Sequence, residues 1–284
     1  MEEIRKLAVI GAGLMGTGIT QVAARAGFPV AVRDVEPRAL AGAQAKIQAG
    51  LEKGVQKGSL SAEDAASALR RITFTTSLAD ALTDAEYVIE AVPENLALKR
   101  GVFEELDLAA SPRAILATNT SELRIGSIAS ATARPDRVIG THWFYPAPVM
   151  RLIEVIRGDA TSDKTLATTL GFCRALGKET VVCRDSQGFI TSRAISALLV
   201  ECLRIHAEGV ASIEDIDKAM RLGFNHPMGP FQLVDMSGLD VVFHNLEGLT
   251  EAYGERFRAT AEMARLVKEG NLGQKTGRGF YPYR

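Results

Sequence analysis

From Leu7 to about Cys183, short β-branched runs alternate with longer stretches of helical periodicity, and that alternation predicts a parallel sheet covered by helices. The candidate strands are Leu7 to Ile10, Val30 to Asp34, Tyr87 to Val92, Ile115 to Asn119 and Val138 to His142. Two further strand-like runs, Leu152 to Ile156 and Thr180 to Cys183, flank a helix from about Asp163 to Leu176. After Asp185 the texture changes. Residues 189 to 222 hold almost no β-branched clusters, and their apolar positions recur at three and four spacing, as on a helix face. Ile195, Leu198, Leu199, Cys202 and Ile205 form one such stripe, and Ser212-Ile213-Glu214-Asp215 reads as a capping box that opens the next helix. The expected architecture is a doubly wound, mostly parallel α/β domain over residues 1–184, followed by a smaller all-helical domain over 185–284.

Composition narrows the classes of function. A length of 284 residues suits about two domains. Lys+Arg at 33 against Asp+Glu at 34 gives a formal net charge of -1, so no global basic field is present to hold nucleic acid or an anionic membrane. Any polyanion must be met by a local site. The apolar runs break off well short of the roughly 18 to 20 residues that a bilayer span needs. The first residues, Met1-Glu2-Glu3-Ile4-Arg5-Lys6, lack the pattern of an export signal, and a cytoplasmic location is expected. The three cysteines, Cys173, Cys183 and Cys202, show no C-x-x-C spacing and are read as small core residues rather than as disulfide partners or metal ligands.

Gly11-Ala12-Gly13-Leu14-Met15-Gly16 follows the first strand and opens a helical pattern, and Asp34 stands at the end of the second strand. This order of strand, glycine-rich turn, helix and acid is the Rossmann-type dinucleotide fingerprint. Gly11 permits the tight turn, Gly13 removes a Cβ that would block a pyrophosphate, and Gly16 lets the helix pack on the strand. The helix N-terminus attracts the phosphate charge. Asp34 is placed to accept hydrogen bonds from a ribose diol and would repel a 2′-phosphate, which favours NAD, although Arg33 beside it leaves NADP open.

His142 differs from the other three histidines because it ends a strand of the nucleotide-binding sheet, where ligand crevices form. Glu154 is a charged residue inside the apolar run Leu152-Ile153-Glu154-Val155-Ile156. If the chain reverses near Ala147 and Pro148, Glu154 comes opposite His142. A carboxylate on one imidazole nitrogen makes the other a competent base. Thr118-Asn119-Thr120-Ser121 is a second polar strand end, able to hydrogen-bond a nicotinamide ribose and a substrate oxygen; Ser121 equally suits a helix N-cap. His206, His226 and His244 are read as structural or surface residues.

Taken together these residues resemble the single-function 3-hydroxyacyl-CoA dehydrogenase family, which includes the 3-hydroxybutyryl-CoA dehydrogenases. The likeness runs through the glycine-rich start, Glu90-Ala91-Val92-Pro93-Glu94-Asn95, Asn119-Thr120-Ser121, His142 with its Pro-x-Pro sequel, Glu154, Met228-Gly229-Pro230 and Lys275-Thr276-Gly277-Arg278-Gly279-Phe280-Tyr281. It implies an NAD domain, a helical domain through which members dimerise, and NAD-dependent oxidation of an L-3-hydroxyacyl-CoA, or the reverse, in fatty acid or acyl-CoA metabolism. By position, His142 resembles the catalytic base, Glu154 its orienting carboxylate and Ser121 the hydroxyl that binds the substrate oxygen. Glu94, Lys99 and Lys275 resemble cofactor-contacting residues, and the segment around Lys53 and Lys57, one helical turn apart, resembles the part that touches CoA; a solvated basic face is the competing reading of those lysines.

Two departures from the family pattern stand out. Members carry His-Phe-Phe-Asn-Pro, where this chain has His142-Trp143-Phe144-Tyr145-Pro146, and Gly-Phe-x-x-Asn-Arg, where it has Gly188-Phe189-Ile190-Thr191-Ser192-Arg193. Ser192 keeps a hydrogen-bonding group but loses the amide's reach. Alternative readings are a dehydrogenase of a free hydroxy acid or sugar acid on the same fold, or a non-catalytic NAD-binding protein. A β-hydroxyacid dehydrogenase would resemble a Lys-x-x-x-Asn pattern, which does not occur here.

Overall fold

The structure, a computed structural model, describes residues 4–283. The chain divides into two compact units, Asp185 closing the first and Ser186 opening the second. In the first, eight strands form one sheet: β1 (Leu7–Ile10), β2 (Val30–Arg33), β3 (Ile72–Thr75), β4 (Tyr87–Glu90), β5 (Ile115–Thr118), β6 (Val138–Trp143), β7 (Leu152–Arg157) and β8 (Glu179–Arg184). Their order is β3-β2-β1-β4-β5-β6-β7-β8. All neighbours pair in parallel except β6 with β7. The crossover from β1 to β4 makes the switch point at which doubly wound sheets open a ligand crevice.

The strands that the sequence marks most clearly are those buried on both faces. Every residue of β1, β4 and β5 is buried, as an inner parallel strand requires. The sequence reading missed β3, a half-exposed edge strand of Ile-Thr-Phe-Thr that follows directly on the helix Ala62–Arg70 and so carries no apolar run of its own. Strand ends also shift. β4 stops at Glu90 rather than Val92, because the Val92 amide leaves the ladder to donate to Glu90 Oε1 at 2.7 Å. The hydrophobic core under the sheet includes Ile19, Ile47, Leu51, Tyr87, Ile115 and Phe172, each buried side chain of this kind stabilising the fold by about 1.5–3 kcal/mol.

A buried ion pair sits at the end of β4. Lys99, fully buried on the helix Leu96–Ala109, donates to Glu90 Oε1 at 2.7 Å and to the Val92 carbonyl at 3.2 Å. Glu90, equally buried, also accepts from Thr118 Oγ1 at 2.6 Å on Oε2. One carboxylate thereby joins β4, β5 and the helix between them.

The second unit is helical, with a core of Leu199, Val200, Leu203, Phe231, Val234, Leu239, Leu246 and Met263 among others. Of the expected stripe, Leu199 and Cys202 are buried, whereas Ile195 is 36% exposed and lies off that core. Ser212 caps the helix Ile213–Gly223 by accepting from the Asp215 amide. The acid returns to the serine hydroxyl at 3.0 Å rather than to its backbone, so the capping box forms by half. Two buried carboxylates hold the last residues. Asp217 accepts from Tyr281 Oη, and Asp235 accepts from the amides of Phe280 and Tyr281 and from Tyr283 Oη, all at 2.9 Å.

Lys99→Met should lower the unfolding free energy by about 3–5 kcal/mol in urea titrations, because Glu90 is left charged and buried without its partner. A loss below 1 kcal/mol would contradict the pairing. Burial pushes the Cys173 thiol up to about 12, and burial together with the charges of Glu154 and Asp185 pushes Cys183 up to about 11. Both should therefore resist a thiol reagent at pH 8 in the native protein and react after unfolding, as counted by mass spectrometry. Rapid native labelling of Cys173 would refute its core placement.

Candidate active site

The glycine-rich turn joins β1 to the helix α1 (Leu14–Arg25), whose N-cap Gly13 offers no side-chain cap. Gly11 has φ +105, and a Cβ there would stand 2.6 Å from the Ala91 carbonyl oxygen; one on Gly16 would stand 1.8 Å from that of Gly11. Neither position admits a side chain. Gly13 is the opposite case, with no atom within 4 Å of a Cβ built on it, so a phosphate can approach the backbone amides of the turn and of α1. Leu14 is exposed and Met15 half-buried beside it. The residues present thus fit a dinucleotide.

Asp34 follows β2 and is half-buried. Its Oδ2 accepts from the Ala12 amide at 2.7 Å and its Oδ1 from the Glu36 amide at 3.0 Å. Besides standing where a ribose diol would bind, the carboxylate fixes the glycine-rich turn, a role the sequence reading did not assign to it.

At the other side of the crevice the chain does reverse after β6. The antiparallel register sets Gly140 against Ile156, Thr141 against Val155, His142 against Glu154 and Trp143 against Ile153. His142 Nδ1 lies 2.6 Å from Glu154 Oε2, with His142 6% exposed and Glu154 fully buried. Glu154 is no solvated edge residue, because β8 covers it: it pairs with Val181. The Phe144 ring packs at 4.5 Å on the imidazole. Tyr145, which precedes the cis Tyr145–Pro146 bond, is 62% exposed.

Between these two features lie the ends of β4 and β5. Glu94 Oε1 accepts from the Thr120 hydroxyl, from the Ser121 amide at 2.9 Å and from the Glu122 amide at 3.3 Å. Its other oxygen is 3.4 Å from Lys99 Nζ. Asn119 Oδ1 accepts from the Trp143 amide at 3.0 Å, which ties the end of β5 to β6 next to His142. Ser121 is exposed and is not an N-cap: the following helix, Ile125–Ala129, has Arg124 at that position, and Thr120 is the hydroxyl that accepts from the Leu123 amide. Lys99, read from the sequence as a cofactor contact, is enclosed and spends its ammonium on Glu90, Val92 and Glu94. What it determines is the position of Glu94 and, through it, of Ser121.

Lys53 lies in the last turn of the helix α2 (Pro37–Gln56), and Lys57 is the residue just past its end, both exposed. Ser192 and Lys275 belong to the second unit. Ser192 is half-buried in the first turn of the helix Thr191–Ala207, and Lys275 donates to both oxygens of Asp240, at 2.6 and 2.7 Å. His206, for which the sequence offered no acidic partner, has one across its unit, Glu262 at 3.4 Å. Among the described residues no group of three or more His, Cys, Asp or Glu side chains is arranged to hold a metal ion.

Comparison with known proteins bears directly on this crevice. Residues 6–186 match the family model of the 3-hydroxyacyl-CoA dehydrogenase NAD binding domain, and residues 188–283 match that of the 3-hydroxyacyl-CoA dehydrogenase C-terminal domain. A probable 3-hydroxybutyryl-CoA dehydrogenase of Bacillus subtilis is 42% identical over 282 residues, 99% of this chain and 98% of the relative. The mitochondrial hydroxyacyl-coenzyme A dehydrogenase of Rattus norvegicus is 42% identical over 288 residues, covering 99% of this chain and 92% of its own. Among solved structures, the (S)-3-hydroxybutyryl-CoA dehydrogenase of Ralstonia eutropha superposes with a TM-score of 0.96 at 39% identity, over 99% of this chain and 100% of that one. With both halves matched in order and the sheet, turn and histidine–glutamate pair in place, the chain belongs to the 3-hydroxyacyl-CoA dehydrogenase family.

Proposed function

We propose that this protein oxidises an L-3-hydroxyacyl-CoA thioester of short acyl chain, such as 3-hydroxybutyryl-CoA, to the 3-ketoacyl-CoA, or catalyses the reverse reduction, with NAD as cofactor. The observation that carries the reading is the buried His142–Glu154 pair at 2.6 Å, at the same end of the sheet as the glycine-rich turn. When bound, the dinucleotide supplies the hydride acceptor. Everything else is asked of the chain's own groups. Glu154 holds the proton of the neutral imidazole on Nδ1, so Nε2 takes the 3-hydroxyl proton, and the buried carboxylate stabilises the imidazolium that results. The Ser121 hydroxyl binds the substrate oxygen, with its backbone anchored by Glu94. Asn119 shares that strand end and would hydrogen-bond the nicotinamide ribose of a bound dinucleotide.

The carboxylate of Asp34 favours NAD over NADP by repelling a 2′-phosphate. Lys53 and Lys57 are exposed cations suited to the phosphates of CoA. From the resemblance alone, Ser192 is proposed as a hydrogen-bonding residue of the reaction and Lys275 as a cofactor contact. Exposed Leu222, Phe224, Met236 and Val241 on that unit support a homodimer. The three unpaired thiols favour a reducing compartment such as the cytosol. No helix of the described residues is long and apolar enough to cross a membrane.

With acetoacetyl-CoA and NADH followed at 340 nm, His142→Ala should lose about 10²- to 10⁴-fold in kcat while NADH still binds. Near-normal turnover would defeat the assignment. Charge reversal of Lys53 and Lys57 together should raise KM for the thioester by roughly 5- to 30-fold with kcat unchanged. An unchanged KM would move the CoA contact elsewhere.

A further inference from the structure

Pairing of His142 with Glu154 requires the chain to reverse between β6 and β7 in a fixed register, and the backbone of the turn does only part of that work. The amides of Val149 and Met150 both donate to the Pro146 carbonyl, at 2.9 and 3.0 Å. The carbonyls of Ala147 and Met150 are directed instead at Lys178, whose Nζ donates to each at 2.6 Å. Lys178 is 8% exposed and immediately precedes β8. Its own backbone is anchored, the amide donating to the Cys173 carbonyl at 3.0 Å, while the Glu179 amide beside it donates to the Arg151 carbonyl at 2.9 Å.

The same ammonium stands 5.6 Å from the centre of the Trp143 ring. Trp143 adjoins His142 in β6, and its indole N–H has no hydrogen-bond partner among the described residues. Its placement therefore depends on packing, on the backbone bond to Asn119 and on this cation–π contact. The turn also rests on α1, where a Cβ on Gly18 would stand 3.1 Å from Ala147 Cβ and 3.3 Å from Pro148 Cδ. Burying a strongly hydrated ammonium is costly unless its donors are satisfied, and an apolar side chain would fill this space without that cost. Only a group that donates to two carbonyls at once fastens both ends of the turn.

We propose that Lys178 is a positioning residue for the reaction: its ammonium clamps the Ala147 and Met150 carbonyls and the face of Trp143, and so fixes the geometry in which His142 meets Glu154. The inference rests on the reading of His142 and Glu154 as the catalytic pair. Lys178 acts through the turn.

The test compares Lys178→Met, Lys178→Arg and His142→Ala as full-length proteins with acetoacetyl-CoA and NADH. Emission of Trp143, the sole tryptophan, NADH affinity and melting temperature are measured on each. Lys178→Met should lose roughly 10- to 100-fold in kcat, the scale of a misplacement near 1 Å, with NADH affinity and KM unchanged and Trp143 emission altered. Lys178→Arg, which restores a cation with donors, should recover part of both. Wild-type kcat in Lys178→Met beside a silent His142→Ala overturns the inference, as does a loss of kcat that only follows the fraction unfolded. If Lys178→Met fails to fold, Lys178→Gln, which removes the cation and shortens the reach, decides: reduced kcat and altered emission at a wild-type melting temperature support the clamp, and wild-type values of both overturn it. An active His142→Ala refutes the catalytic pair itself, and the clamp with it.

Discussion

The antiparallel seam between β6 and β7 is the constraint on which the proposed chemistry depends. In a wholly parallel sheet, the residue opposite His142 would reach it only through a crossover helix, and a carboxylate there would be set by packing between distant elements. One reversal of direction makes Glu154 the ladder partner of His142, and the register is then enforced by every other pair along the seam. A slip by one residue would turn Glu154 to the other face of the sheet and bring an aliphatic neighbour against the imidazole. β8 completes the device by pairing in parallel with β7, which removes Glu154 from solvent and strengthens its interaction with the ring.

The other strand ends follow the same principle of tying loops by carboxylates. Glu90 joins the ends of β4 and β5 to Lys99, Glu94 gathers the loop that carries Ser121, and Asp34 holds the glycine-rich turn through Ala12. In each case an acid accepts from backbone amides that have left the ladder, as an N-cap does for a helix. Loops at the crevice are thereby made nearly as definite as the strands, and pre-organisation of that kind is what hydride transfer between two bound molecules demands.

Which of these features a reader could see in the sequence follows from their range. The glycine-rich turn and Asp34 are local and obey fixed backbone requirements, so spacing alone revealed them. The pairing of His142 with Glu154 was legible for a different reason: a charged residue within an apolar strand, just past a proline-rich reversal, has few places to go. The half-exposed β3 escaped notice because its Ile-Thr-Phe-Thr run lacks both a continuous apolar stretch and flanking turn residues. For Lys99 the resemblance implied a cofactor contact, and nothing in Leu96-Ala97-Leu98-Lys99-Arg100 signals that this lysine turns inward to Glu90 while Arg100 stays outside. Contacts across long stretches of chain, such as Lys178 with the Ala147 carbonyl or His206 with Glu262, leave no periodic trace at all.

The two departures from the family's pattern acquire a physical meaning from where they fall. Tyr145 lies beyond the last ladder pair of β6, with its side chain 62% exposed, and Ser192 sits in the first turn of its helix, half-buried. Neither is held by the seam, and neither bonds to the carboxylates that order the crevice. His142, Glu154 and the residues that anchor Ser121 are, by contrast, fixed by several partners each, so a change at any of them would leave a buried acid or amide unsatisfied. Substitution is therefore cheap where a side chain has few partners and costly where several groups depend on it. A family built on this seam can vary a position such as Tyr145 without disturbing the pairing of His142 with Glu154.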